Sequence, residues 1–270
     1  MVRFQNPQAT SYQYQHALLT NHGEPPPATI NLRNLAFPLP IGTSPWGPSH
    51  KPDESFCQPI LLSVRIALNE SFSTASASDT VDGSTVHYGV LSKSILRIVK
   101  DLQSQQTGRW SIGDFVNWLA EALTGEELER PYDYYRPKIL DLGSSRLLKC
   151  SNMRELEFEV ELPKGSLKSS AIRFRRTFGY SIGLISSVLS IEGLRIPTLI
   201  GVNANERTAT QIVVANIEID PYEVYENDLY PQLEDIVFRV RQFPKFLSRF
   251  INVSILAPSI IRLDSNYYQN

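Results

Sequence analysis

Between Glu155 and Leu162 the chain alternates without a break. Glu155, Glu157, Glu159 and Glu161 fall on one parity, and Leu156, Phe158, Val160 and Leu162 on the other. Successive side chains of a β-strand leave opposite faces, so this stretch is a strand with one face in a core and one in water. Pro163-Lys164-Gly165 reads as a turn. The chain returns through Ala171 to Phe178, with Ile172, Phe174 and Phe178 apolar and Arg173 and Arg175 facing out. Glutamates on one strand and arginines on its neighbour suggest an antiparallel pair with cross-strand ion pairs, each worth about 0.2–1 kcal/mol.

The preceding segments extend this pattern. Ile30 to Ile41 holds two alternating runs with a phase change between them, which predicts a long strand with a bulge near Asn34. Gln58 to Leu68 reads as its partner, across a Pro/Gly/Ser loop at 42–55. Two helices follow. In Ser84 to Leu102 the apolar residues Tyr88, Leu91, Ile95, Ile98 and Leu102 recur at steps of three and four, and Ser84 or Thr85 can cap the start. In Ser111 to Leu123, Ser111 with Asp114 resembles a capping box and Gly125 a stop. The charged, tyrosine-containing stretch from Gly125 to Met153 reads as an insertion, with at most a short strand at Lys138–Leu142. The first unit is therefore β-β-α-α-β-β.

A second unit opens in the same way. INLRNLAFPLPIG at 30–42 and LSIEGLRIPTLIG at 189–201 both end in Ile-Gly, and each partner strand opens on Gln, at Gln58 and Gln211. This is internal duplication at roughly 160 residues. The second copy reads as a strand over Ser187–Val202, a strand over Gln211–Ile219, a helix over Leu229–Val240 and a closing strand at Ile251–Leu256. The expected division is a disordered, Gln/Asn/Thr/Pro-rich tail over 1–29, a first unit over 30–180 and a shortened second unit over 187–262.

Composition narrows the classes of function. The chain has 270 residues, 42% of them hydrophobic and 20% charged, which suits a packed core. Its formal net charge is −2, which argues against nucleic acid as the partner. Two cysteines, Cys57 and Cys150, make no disulfide framework or cysteine zinc site, and the four histidines lack metal-ligand spacing. No apolar run approaches the roughly 18 residues a membrane helix needs. The expectation is a soluble, cytoplasmic protein.

Ser78-Asp79-Thr80-Val81-Asp82-Gly83-Ser84-Thr85-Val86-His87-Tyr88-Gly89 resembles the Asp…Thr-Val-x-Tyr segment that opens the first helix of dihydroneopterin aldolases. Ile200-Gly201-Val202…Glu206-Arg207…Gln211 resembles their hairpin, and Glu161-Leu162-Pro163 echoes a strand that ends before proline. Two such units in a row resemble the paired aldolase domains at the front of fungal folate-synthesis proteins. The resemblance covers residues 30–178 well and 187–258 in part. It implies an α+β T-fold: an antiparallel four-stranded sheet with two helices on one face, here in tandem. It further implies association of copies through sheet edges and a pterin-like substrate held where neighbours meet.

The reaction so implied is retro-aldol cleavage of 7,8-dihydroneopterin by acid–base catalysis, with no metal and no cofactor. Tyr88 matches the catalytic tyrosine. Glu206 matches the hairpin-loop glutamate, and Asp53, beside Glu54, stands at the equivalent distance before Gln58. Thr85 and Val86 belong to the substrate-binding segment. Asn117 falls where the ring-anchoring glutamate is expected, with Glu121 one turn later. Leu162 stands at the lysine position, with Lys164 two residues on. An amide cannot reproduce the two charge-assisted bonds a carboxylate accepts from a pterin edge. Two readings follow: an aldolase-like enzyme, or a lapsed or repurposed T-fold that serves as a pterin-binding or oligomeric scaffold. His87 reads as an exposed helix-start residue.

Overall fold

The computed structural model describes residues 26–45, 57–72, 77, 85–104, 110–125, 147–148, 153–179, 183–199, 208–222, 228–240 and 260–264. Seven strands form one antiparallel sheet in chain order: β1 (Ala28–Leu39), β2 (Gln58–Leu68), β3 (Met153–Leu162), β4 (Ala171–Gly179), β5 (Gly183–Thr198), β6 (Gln211–Asp220) and β7 (Ile260–Asp264). Three helices accompany them: α1 (Tyr88–Ser104), α2 (Ile112–Thr124) and α3 (Tyr230–Val240). The class is α+β. Residues 1–25, the stretch Lys138–Leu142 and the closing strand read at Ile251–Leu256 lie outside the described residues. β1 begins at Ala28, inside the stretch read as tail, because Ala28 and Thr29 already pair with Leu68 and Ala67.

The alternation in β3 sorts as expected. Leu156, Phe158, Val160 and Leu162 are all but fully buried, while the four glutamates are only partly covered. Glu159 stands opposite Arg175, and Glu161 opposite Arg173. Arg173 Nε donates to Glu161 Oε2 at 2.8 Å, and its Nη1 donates to Glu192 Oε1 on β5 at 2.6 Å. One guanidinium thus ties three strands on the face opposite the core. On the core face, Leu91, Ile95, Ile98 and Leu102 of α1 and Phe115, Leu119 and Leu123 of α2 pack over the sheet. The helix starts follow local chemistry. Ser111 Oγ accepts Asp114 N–H at 3.1 Å, and Gly125 ends α2 in the left-handed region at φ 70°. α1 starts at Tyr88, not at Ser84, because the side chain of His87 caps it: Nδ1 accepts Gly89 N–H at 3.0 Å. His87 is an exposed capping residue.

The two hairpins repeat one another in detail. In β1–β2 the register slips between Leu32 and Leu35, and Asn34 takes φ 55°. In β5–β6 it slips between Ile191 and Leu194, and Gly193 takes φ 60°. Asn34 N–H is held by Ser63 Oγ at 3.2 Å, and Gly193 N–H by Asn216 Oδ1 at 2.8 Å. Ser63 lies five residues after Gln58, and Asn216 five after Gln211. Each bulge therefore has a left-handed residue whose freed N–H is bound by the side chain from across the ladder. Asn tolerates that backbone and Gly adopts it freely. At Gly193 a Cβ would also lie 2.4 Å from Ser170 Oγ. Gly193→Ala is expected to lower the unfolding free energy by about 1–2 kcal/mol, the cost of a left-handed L-residue. Asn34→Gly should stay within about 0.5 kcal/mol of the parent. Urea unfolding of the two variants side by side checks both.

Candidate functional site

Among the described residues, Tyr88 and Lys164, both singled out in the sequence, lie toward opposite ends of α1 within one chain. α1 has 17 residues and so spans about 25 Å. Its C-terminal end is fixed to β1, where Gln103 Nε2 donates to the Pro38 carbonyl at 2.7 Å. Pro38 pairs with Pro59, and the β3–β4 turn that carries Lys164 leaves the sheet at this same end, since Glu161 pairs with Leu61. Tyr88 therefore lies a helix length away from Lys164. Tyr88 is 66% exposed and stacks on the His87 ring, 5.3 Å between centroids. Lys164 is exposed in its turn, which Gly165 N–H closes onto the Leu162 carbonyl at 3.1 Å. Leu162 itself is core. Thr85 and Val86 precede α1 and are half-buried, with Val86 packed against the core. Asp53, Glu54 and Glu206 lie outside the described residues.

α2 is buried nearly all round, Glu121 included. Asn117 is half-buried and already engaged: Arg176 Nη1 donates to its Oδ1 at 2.6 Å. Arg176 sits on β4 in the inward parity, with Phe174 and Phe178, and is 4% exposed. Its guanidinium lies over the Phe174 ring at 5.4 Å. The alternation Ile172, Phe174, Arg176, Phe178 held the signal for this buried cation, because period two puts residue 176 on the apolar face.

A second buried charge was also passed over in the sequence. The sheet-facing stripe of α3 is Tyr230, Leu233, Glu234, Val237 and Phe238, and the carboxylate stands at its centre. Glu234 is 6% exposed, and its Oε1 meets no hydrogen-bond donor among the described residues. Leaving a buried acceptor unsatisfied costs about 1–3 kcal/mol, and more for a charge. The neighbouring Asp235 points outward to Lys168, at 2.6 Å, and that bond holds its carboxyl below the usual range. Lys168 Nζ also lies over the Phe238 ring. Apolar steps of three and four around Glu234 were the available sign that it faces inward.

The starts of α2 and α3 meet at the β1–β2 loop. Both carboxylate oxygens of Asp228 accept Ile112 N–H, at 3.1 and 3.3 Å. Tyr230 Oη accepts Thr43 N–H at 2.7 Å and donates to the Thr43 carbonyl at 2.8 Å. Gln58 Nε2 donates to the Ile41 carbonyl. Burial pushes the Tyr230 phenol up to about 12. Its folded value lies above the ordinary 10.0, so the stability it lends is complete below pH 10 and is lost as pH rises toward 12. The loss reaches at most about 3 kcal/mol, two pKa units at 1.36 kcal/mol each. Tyr230→Phe should unfold more easily at neutral pH yet show a flatter decline between pH 10 and 12, as followed by thermal unfolding.

Among the described residues no group of His, Cys, Asp or Glu is placed to hold a metal, and no helix is long and apolar enough to cross a membrane. No family model matches the chain, and no curated protein does. Solved structures do resemble it at low identity. E. coli dihydroneopterin aldolase in complex with neopterin is 12% identical, with 56% of this chain and 99% of that one covered and a TM-score of 0.36. Urate oxidase from Bacillus sp. TB-90 is 12% identical over 89% of this chain and all of that one, with a TM-score of 0.47. A uricase from Bacillus fastidious is 10% identical over 72% of this chain and 61% of that one, with a TM-score of 0.42. These are likenesses of low score, and the functional reading rests on the residues above.

Proposed function

We propose that this chain is a tandem T-fold protein that holds a flat, pterin-type heterocycle and no longer performs the aldolase reaction. The observation that carries the reading is the buried Glu234 carboxylate on the sheet face of α3, with Oε1 lacking a donor among the described residues. A ring edge with N–H groups supplies such donors, and a bond to a charged acceptor is worth about 1.5–3 kcal/mol. The repeated hairpin bulges support the tandem reading over residues 30–180 and 187–262. Association through sheet edges fits the long outer strand β1 and the half-covered β6, on which β7 reaches only Asn216–Asp220.

Acid–base catalysis needs its groups within hydrogen-bond reach of the reacting atoms. Tyr88 and Lys164 stand a helix length apart, Asn117 is bonded to Arg176, and Leu162 is core. This separation supports the reading that Tyr88 and Lys164 of one chain do not serve one ring together. The aldolase reading survives as a second one on a single observation: Tyr88 is exposed at a helix start, where it could complete the site of a neighbouring copy.

Calorimetric titration with neopterin separates the two. Glu234→Gln should weaken binding at least tenfold, which corresponds to about 1.4 kcal/mol. Tyr88→Phe should leave binding unchanged, and no glycolaldehyde should form from dihydroneopterin. Glycolaldehyde released by the parent and not by Tyr88→Phe restores the aldolase reading. Equal affinity in Glu234→Gln and the parent removes Glu234 from the site.

A further inference from the structure

We infer that Arg176 is the residue that closes the α2 position to a ligand, so that the chain takes one heterocycle and not two. This rests on the reading above, in which a helix group facing the sheet holds a ring edge. Arg176 lies opposite Phe158 on β3 and Ser187 on β5, in a face that is otherwise mostly aliphatic and aromatic. A guanidinium cannot shed its charge, and its donors need acceptors once it is buried. α2 provides them. Nη1 donates to Asn117 Oδ1 at 2.6 Å and reaches the Gly113 carbonyl, one turn earlier, at 3.5 Å.

The acceptor oxygen of residue 117 is therefore spent on a protein cation. A ring N–H that sought the same oxygen would have to displace a charge-assisted bond. Changing Asn117 to a glutamate would not reopen the position, because the new carboxylate would pair with Arg176. At Glu234 no described donor occupies Oε1. The two inward-facing groups are thus divided: one closed by Arg176, one open. Arg176 acts here as a positioning residue, through Asn117.

The test compares N117E, R176M and the double variant N117E/R176M by calorimetric titration with neopterin. The parent and N117E should each bind one equivalent per chain. N117E/R176M should bind a further equivalent, because its carboxylate is left without a cation. A merely structural role for Arg176 would not change the stoichiometry. A second equivalent in N117E alone overturns the inference, and so does the lack of any gain in a folded double variant. If the parent binds no neopterin, the Glu234 reading fails. The Arg176 inference then stands only if the double variant binds and N117E does not. A thermal-unfolding cycle of N117L, R176M and N117L/R176M gives an arm without ligand, which decides the matter if N117E/R176M does not fold. N117L should lower Tm by taking from the guanidinium its 2.6 Å acceptor, and R176M in that background should recover at least half the loss. Additive losses overturn the closure.

Discussion

The hydrogen-bonded knot around Gly42 holds this fold together. Three separate stretches meet there: the end of β1, the start of α2 and the start of α3. Gly42 sits at φ 70°, and a Cβ on it would lie 2.9 Å from both Gln58 Nε2 and the Tyr230 hydroxyl. Only a residue without a side chain lets those two groups approach the loop. Asp228 then satisfies the first N–H of α2, an orphan of every helix N-terminus, from the far side of the chain. Each bond is modest alone, but Gln58, Ile41, Ile112, Asp228 and Tyr230 are buried, and removing one partner strands a polar group. The helices are fixed to the sheet at this end, and the orientation of Asn117 and Glu234 follows from it.

Much of this was legible in the sequence where local chemistry decides. Ser111, Asp114 and Gly125 mark the ends of α2 because caps act within one turn. Glu155 to Leu162 gave its strand and faces because period two is insensitive to context. The bulge at Asn34 showed as a phase change, while its copy at Gly193 emerges only from the register of β5 and β6. α1 was read three to four residues early, since a histidine cap is chemically less conspicuous than serine or threonine. Gly183 was drawn into β5 through pairing with Gly179, a tertiary matter that no window around residue 183 contains.

The polar residues inside were the harder part. Arg176 sits between an outward Arg175 and a threonine, so a reader sees a basic run and assigns it to water. Glu234 sits beside Asp235 and is taken for half of a solvated acidic pair. In both cases the periodicity puts the residue inward although its type suits water. The lesson is physical: a charge on the buried parity of a strand or helix is expensive, so a fold keeps it only with a partner or a purpose. Arg176 has its partner in Asn117. Glu234 has no donor to its Oε1 among the described residues, and it is the group to which we assign a ligand.

The reach of Asp228 has a consequence for how the molecule is made. It lies 116 residues after Ile112, and Tyr230 lies 187 after Thr43. On a ribosome that adds roughly 5–20 residues per second, α2 waits several seconds at least for its cap, and the β1–β2 loop waits longer. Until then the first four strands can pair and α1 and α2 can cover them, but the start of α2 and the loop beside it lack these partners. Such late, distant closure slows folding and leaves a nascent chain exposed to wrong partners. The part of the chain made first is thus complete in its strands and helices well before its loop and the start of α2 gain their bonds from the part made last.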